Sequence, residues 1–487
     1  MNRREFIAGA GFGIAQAQQA AQKPNVLLVL LNHVRSCDLA CYNRDAVNVP
    51  TPNIDKLAAR GLRFTNALAT FPLSTPARAM IQTGRWPSVT GAVFNSVQPR
   101  LPADSKPLAA AFAEAGYLTS YVGVWHLAAG RLAGSLDREH PAPRRSGFTQ
   151  PEYIPPGPLR MGYENWHAFN YHTEFARGYF YREEPRRLLM PGYETDAETA
   201  VAIEVMHECR VSNKPFFVVL SPHPPHPPWR ANQTPAASLA KIPAELRWRA
   251  NARDRSKDSD EADPRCYYAQ LHNVDENLGR CLQYLEKNEI LDNTIVVCAS
   301  LHGEMLGSRG LYGAMRGYAE CVDVPLLVRW SRIAPSVSDA LVTPLDLYPT
   351  LAGLCGLPRP SNLDGVDLSR HILQGVRAPR SSALLMNYVS HPEYPESGTV
   401  APEFRGVRDG RFTYLRYLAD GREEYYDNVK DPLQSRNLIG PGKKGPAAMR
   451  ATLQRLLEEA GDSAQRGTFY RSWFHEDREA VAGLNPR

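Results

Sequence analysis

Five histidines in this 487-residue chain fall just beyond apolar runs that read as strands. His33 follows Asn25–Leu31, and His126 follows residues 119–124. His223 and His226 follow residues 215–220, and His302 follows Thr294–Ser300. Ligand sites in open α/β sheets form beyond the carboxyl ends of the strands. A single histidine there, His33 included, is ordinarily a satisfied strand-end side chain. Four strand ends that each bring an imidazole to one rim point to a pocket. Imidazole suits zinc, so His33 and His302 could hold that metal. The run Pro222-His-Pro-Pro-His-Pro-Pro228 could instead be a rigid polyproline segment that places Trp229, with both histidines incidental. Its position after an apolar strand favours a pocket role for His226. Trp229 and Tyr312 could flank a substrate ring or pack the rim, and Arg35 and Arg85 could be structural ion-pair partners.

The elements that must hold these groups alternate. Asn25-Val-Leu-Leu-Val-Leu-Leu31 is continuously apolar, as is a strand buried on both faces of a parallel sheet. Residues 107–115, with Pro107 suited to a first turn, read as a helix before the strand at 119–124. Residues 196–210 read as a helix before 215–220, and 267–287 as a long amphipathic helix before Thr294–Ser300. This order predicts an α/β fold, a large, mainly parallel sheet with helices on both faces. Residues 231–264, rich in Ala, Pro, Arg and Asp, read as a surface excursion. Two short strands around Asp409-Gly410 form a hairpin signal, and 447–460 is a final helix. The expected organisation is a segment 1–17, a main domain 24–375, and a smaller C-terminal α+β subdomain 376–487.

Composition is that of a globular protein, with 43% apolar and 22% charged residues. The net charge of +5 (56 basic minus 51 acidic residues) is spread along the chain, which argues against a nucleic-acid surface. No apolar run reaches the length of about eighteen residues that a membrane span needs. Eight cysteines lie scattered without CxxC spacing, so no zinc framework is expected and most should be buried small hydrophobes. Arg3-Arg4 before a weakly apolar stretch, then Ala15-Gln16-Ala17, resembles a twin-arginine signal with a cleavage site. The expected location is periplasmic or secreted.

Several stretches resemble the sulfatase family. Pro72-Leu-Ser74-Thr-Pro-Ala-Arg78-Ala-Met-Ile-Gln-Thr-Gly-Arg85 is similar to its signature, in which Cys or Ser, any residue, Pro, Ser or Ala, and Arg precede Thr-Gly-Arg. Thr51-Pro-Asn-Ile-Asp-Lys-Leu-Ala-Ala-Arg-Gly61, His302-Gly-Glu-Met-Leu-Gly307, Asp346-Leu-Tyr-Pro-Thr350 and Glu424-Tyr-Tyr-Asp-Asn-Val-Lys-Asp-Pro432 also fit, in family order. The resemblance covers nearly all of the chain after the signal and implies an alkaline-phosphatase-like fold and sulfuric ester hydrolysis. It implies that Ser74 stands where the family makes formylglycine, that Arg78 steadies that group, and that His126, His226 and His302 line the sulfate pocket or metal site.

The family also implies calcium, held mainly by carboxylates, with lysines around the sulfate. Here the departures are severe. The paired aspartates are Asn32-His33, and the later aspartate is Leu301 before His302. Lysines of the family pattern are replaced by Val124 and Ala314. Asn32, His33 and His302 are therefore degenerate metal positions, and no cofactor is expected to bind well. Losing one charge-stabilising donor typically costs ~10²–10³ in rate, so losing five charged groups should abolish ordinary turnover. Three readings follow: a pseudoenzyme whose pocket binds a sulfated or anionic small molecule or glycan, an active ester hydrolase with altered chemistry, and a purely structural or partner-binding protein.

Overall fold

The computed structural model describes residues 23–95, 97–128, 153–252, 263–394, 399–440 and 443–466. The expected signal segment, residues 1–17, lies outside the described residues, as does part of the excursion at 231–264. In chain order the main elements begin with β1 (Asn25–Leu31), α1 (Pro52–Ala59), β2 (Leu62–Ala67), α2 (Ser74–Thr83) and α3 (Leu108–Glu114). Next come β3 (Leu118–Val124), β4 (Asn165–Phe169), α4 (Glu194–Val211), β5 (Phe216–Ser221) and α5 (Pro264–Lys287). β6 (Thr294–Ser300), β7 (Leu326–Arg329), β8 (Ser336–Val342) and α6 (Pro344–Leu354) complete the first part. The second part holds β9 (Ser382–Asn387), β10 (Phe404–Asp409), β11 (Phe412–Tyr417), β12 (Glu423–Asp427) and α7 (Ala447–Glu459).

β1 is buried at all seven positions because both of its faces are covered. Val26, Leu28 and Leu30 enter one core with Ala77 and Ile81 of α2, Leu108 and Phe112 of α3, and Leu351 of α6. Leu27, Val29 and Leu31 enter the other with Val205 and Met206 of α4 and Leu271, Val274 and Leu278 of α5. Each fully buried aliphatic side chain contributes about 1.5–3 kcal/mol, so this one strand anchors both layers. The eight-stranded sheet runs β8-β2-β7-β6-β1-β5-β3-β4. β6, β1, β5, β3 and β4 are mutually parallel neighbours. β7 is antiparallel to both β2 and β6. The expected mainly parallel sheet with helices on both faces is thus the observed architecture.

From β9 onward an antiparallel sheet, ordered β9-β10-β11-β12, packs with α7. Its hairpin pairs Phe404–Asp409 with Phe412–Tyr417 around Asp409-Gly410, as the turn residues predict. All eight cysteines are free, five of them buried. Among the described residues no helix is long and apolar enough to cross a membrane. Arg35 pairs with Asp38 at 2.7 Å and Arg85 with Asp364 at 3.1 Å, so both act as structural ion-pair partners.

Candidate active site

Because β6, β1, β5 and β3 are parallel neighbours, their carboxyl ends meet on one rim, where the expected histidines collect. His33 touches His302 and His226, with ring centroids 4.5 and 4.7 Å apart. His226 lies 4.3 Å from His223. His33 and His126 both take positive φ values, 55° and 54°, a left-handed backbone that turns each strand end sharply toward the rim. Gly123, in β3 just before this turn, has φ +107°, and a Cβ there would run into the Ser221 carbonyl oxygen of β5. Only glycine lets these two strands close up and bring His126 toward His223.

Ser74 is the first residue of α2, and its Oγ lies 3.2 Å from His302 Nε2 and 3.3 Å from Asn32 Oδ1. His302 Nδ1 lies 2.9 Å from the Gly303 carbonyl oxygen, which can only accept, so the proton is on Nδ1 and Nε2 carries a lone pair. The Ser74 hydroxyl therefore donates to His302. Asn32 Nδ2 is buried without a partner as placed, and the amide orientation that turns it onto Ser74 Oγ satisfies both groups. His226 Nδ1 is 2.6 Å from the Pro227 carbonyl oxygen, which fixes the same tautomer.

Burial sets the charge of the site. It lowers the pKa of His33 and of His226 to about 3 and holds His126, His223 and His302 well below the ordinary histidine value. All five rings are neutral at physiological pH. The His33 Nδ1 contact to Glu304 Oε2, 2.9 Å, has ion-pair geometry, yet burial lowers the histidine and raises the glutamate. We read it as a neutral hydrogen bond, since desolvation opposes charge on both partners. The other Glu304 oxygen accepts from the Leu306 and Gly313 backbone N–H groups.

Arg78, one turn along α2 from Ser74, is 1% exposed. Its Nη1 donates to Tyr121 Oη, the Val124 carbonyl and Ser221 Oγ at 2.7–2.9 Å. Its Nε and Nη2 have no partner in the described structure. Beside it, burial pushes the Glu198 carboxyl, and that of neighbouring Glu194, well above the usual range. Among the described residues, the pocket's fixed charge is thus the single guanidinium of Arg78.

The residues present do not fit calcium. The groups at Ser74 are its own hydroxyl, the Asn32 amide and the His302 imidazole, none of them anionic, and Glu304 is occupied by His33 and two backbone N–H groups. Leu301, at the aspartate position, is fully buried in the apolar core, as is Val124 at a lysine position. Among the described residues, no group of three or more His, Cys, Asp or Glu side chains is arranged to hold a metal ion. Calcium wants six to eight oxygen ligands, mostly carboxylates.

Sequence reasoning placed Ser74, Arg78, Asn32, His33, His126, His226 and His302 together, and they meet here. Two further residues need correction. Trp229 is fully buried, its indole N–H donating to the Pro225 carbonyl at 2.9 Å and its ring edge-on to Tyr267, so it packs the core and offers no face to a ligand. Tyr312 is 8% exposed and belongs to the same core. The ring at the site is instead Tyr171, half-buried, 4.7 Å from His126, 5.1 Å from His223 and 5.8 Å from His226. It follows β4, and no apolar run long enough to announce that strand precedes it. Glu304 stood inside a family-like stretch, but its contact with His33 spans 271 residues and has no local signal.

The family profile described as Sulfatase matches residues 24–357, and one described as N-sulphoglucosamine sulphohydrolase, C-terminal, matches 307–465. An ulvan-active sulfatase of Formosa agariphila is 28% identical over 93% of this chain and 85% of its own. The solved structure of a putative sulfatase from Bacteroides fragilis superposes with a TM-score of 0.80 at 25% identity, covering 92% of this chain and 98% of that one. A second solved structure, a complex with its substrate D-glucosamine-2-N,6-O-disulfate, gives a TM-score of 0.72 at 23% identity, over 91% and 99% of the chains. Fold, order of motifs and profile agree: the chain belongs to the sulfatase family.

Proposed function

We propose that this chain is a sulfatase-family protein that has lost calcium-dependent sulfate-ester turnover and binds a sulfated or anionic glycan. The observation that carries this reading is that, among the described residues, no carboxylate is free to meet a cation at Ser74, while Arg78 keeps two buried donors without partners. A buried guanidinium with unpartnered N–H groups suits a sulfate oxygen, and half-buried Tyr171 suits a sugar ring. The ulvan-active relative and the structural neighbour that takes a sulfated glucosamine support the substrate class. Export through the twin-arginine-like segment would place the protein where such polysaccharides occur.

Calorimetry with a sulfated disaccharide, in chelator and in calcium, tests the reading. Binding unaffected by chelator and weakened at least tenfold by Arg78→Met is expected, with 4-nitrophenyl sulfate turnover at background. Calcium-dependent turnover would overturn it. A second reading, an active ester hydrolase with formylglycine at Ser74, draws on the retained signature around that residue. Mass spectrometry of the Ser74 peptide distinguishes the two.

A further inference from the structure

We propose that Ser74, as an unmodified serine, and His302 form a nucleophile–base dyad that transfers an acyl group from a neutral carboxylic ester. The inference goes beyond glycan binding and shares with it the two unpartnered donors of Arg78. A serine nucleophile needs a base within hydrogen-bond reach, itself oriented by a third group. Here His302 Nε2 accepts from Ser74 at 3.2 Å, and its Nδ1–H donates to the Gly303 carbonyl at 2.9 Å. The loop carrying His302 is locked. The Ser300 hydroxyl donates to the His302 carbonyl at 3.0 Å. Gly303 presses so close to the Glu320 carbonyl that no side chain fits there.

Charge selects the substrate class. A sulfate or phosphate ester spreads charge over several oxygens in its transition state and calls for a metal or several cations. Among the described residues this site supplies one, Arg78, on the same face of α2 as Ser74, four residues on, with Nε and Nη2 unpartnered. One cation matches the single oxyanion that forms when a neutral ester carbonyl is attacked. Asn32 can add its amide N–H.

The steps balance without a further reagent other than water. Ser74 Oγ bonds to the carbonyl carbon as its proton passes to His302 Nε2, and the carbonyl π pair moves onto oxygen beside Arg78. Collapse breaks the bond to the alkoxide, which leaves with the proton from His302. Water, deprotonated by the same nitrogen, then attacks the acyl-serine, releasing the carboxylic acid and restoring the hydroxyl.

The test is incubation of the intact protein with 4-nitrophenyl acetate, quenching, and mass spectrometry of the Ser74 peptide, with release of 4-nitrophenol followed in parallel. One acetyl group on Ser74 is expected, absent in Ser74→Ala. In His302→Asn, which keeps a donor for Gly303 but has no base, acylation should slow ~10²–10⁴-fold. If that variant does not fold, Ser74→Ala against native protein still decides. A serine-mass peptide without acetyl, acetylation unchanged in folded His302→Asn, or formylglycine at position 74 overturns the dyad. Binding of the sulfated disaccharide, measured on the same sample, shows separately whether the glycan-binding reading stands.

Discussion

If missing anions are what bar calcium, restoring them should restore it. The perturbation is the triple variant Asn32→Asp, His33→Asp, Leu301→Asp. Without metal it should be much less stable than the native chain. Leu301 is fully buried, and replacing it forfeits about 2–3 kcal/mol of apolar burial before the carboxylate's desolvation is counted. His33→Asp also removes the 2.9 Å contact to Glu304 and sets a second carboxyl beside it, so one of the two must stay protonated. The φ of 55° at position 33 is one that aspartate tolerates. Together the loss should reach several kcal/mol, a large share of the 5–15 kcal/mol typical of a folded protein. Calcium reverses this by binding the folded state alone, giving about 2.7 kcal/mol at a hundredfold excess over Kd and about 4.1 at a thousandfold. Thermal unfolding in chelator and in calcium reads it directly. The variant's midpoint should rise with calcium while the native midpoint stays put. A folded variant indifferent to calcium, or a native chain that responds equally, would refute the reasoning.

Asp275 in α5 accepts from the Asn53 and Ile54 backbone N–H groups and from Asn53 Nδ2, joining α5 to α1, and burial raises its pKa to about 6. Its folded value lies above its unfolded one, so its stability contribution is present below about pH 4 and lost as pH rises through 6, about 3 kcal/mol in all. Asp275→Asn should flatten the stability–pH curve across that window, measured by urea denaturation. Asp462, buried against Arg405, runs the other way: the guanidinium lowers its pKa, so its contribution holds at neutral pH and is lost as pH falls through the acidic range. Asp462→Ala breaks this buried ion pair and should cost about 3–5 kcal/mol in the same assay. Trp229→Phe should lower the unfolding midpoint, at a cost of about 1–3 kcal/mol, without changing affinity for the sulfated disaccharide, because the indole packs the core.

Strands buried on both faces were the most legible elements. Asn25–Leu31 and Thr294–Ser300 are continuous apolar runs and form the strands read from them. The long helix begins at Pro264, three residues before its apolar pattern does, because Asp263 caps it through the Arg265 N–H. β7 is short and antiparallel inside a mainly parallel sheet, a pairing that depends on distant partners and leaves no local mark. The rim histidines were legible because each directly follows a strand. Tyr171 and Glu304 were not, since their roles arise from contacts across the fold. Glu194 and Glu198 would pass for a solvated helix face, yet both are buried, Glu198 near Arg78, a proximity that only the assembled sheet creates.

The most direct measurement is the metal content of native protein equilibrated with calcium, desalted, and analysed by elemental mass spectrometry. A pocket whose fixed charge, among the described residues, is one guanidinium amid neutral imidazoles should retain far less than one calcium per chain. A full equivalent, lost when Asn32 is replaced by alanine, would contradict the account.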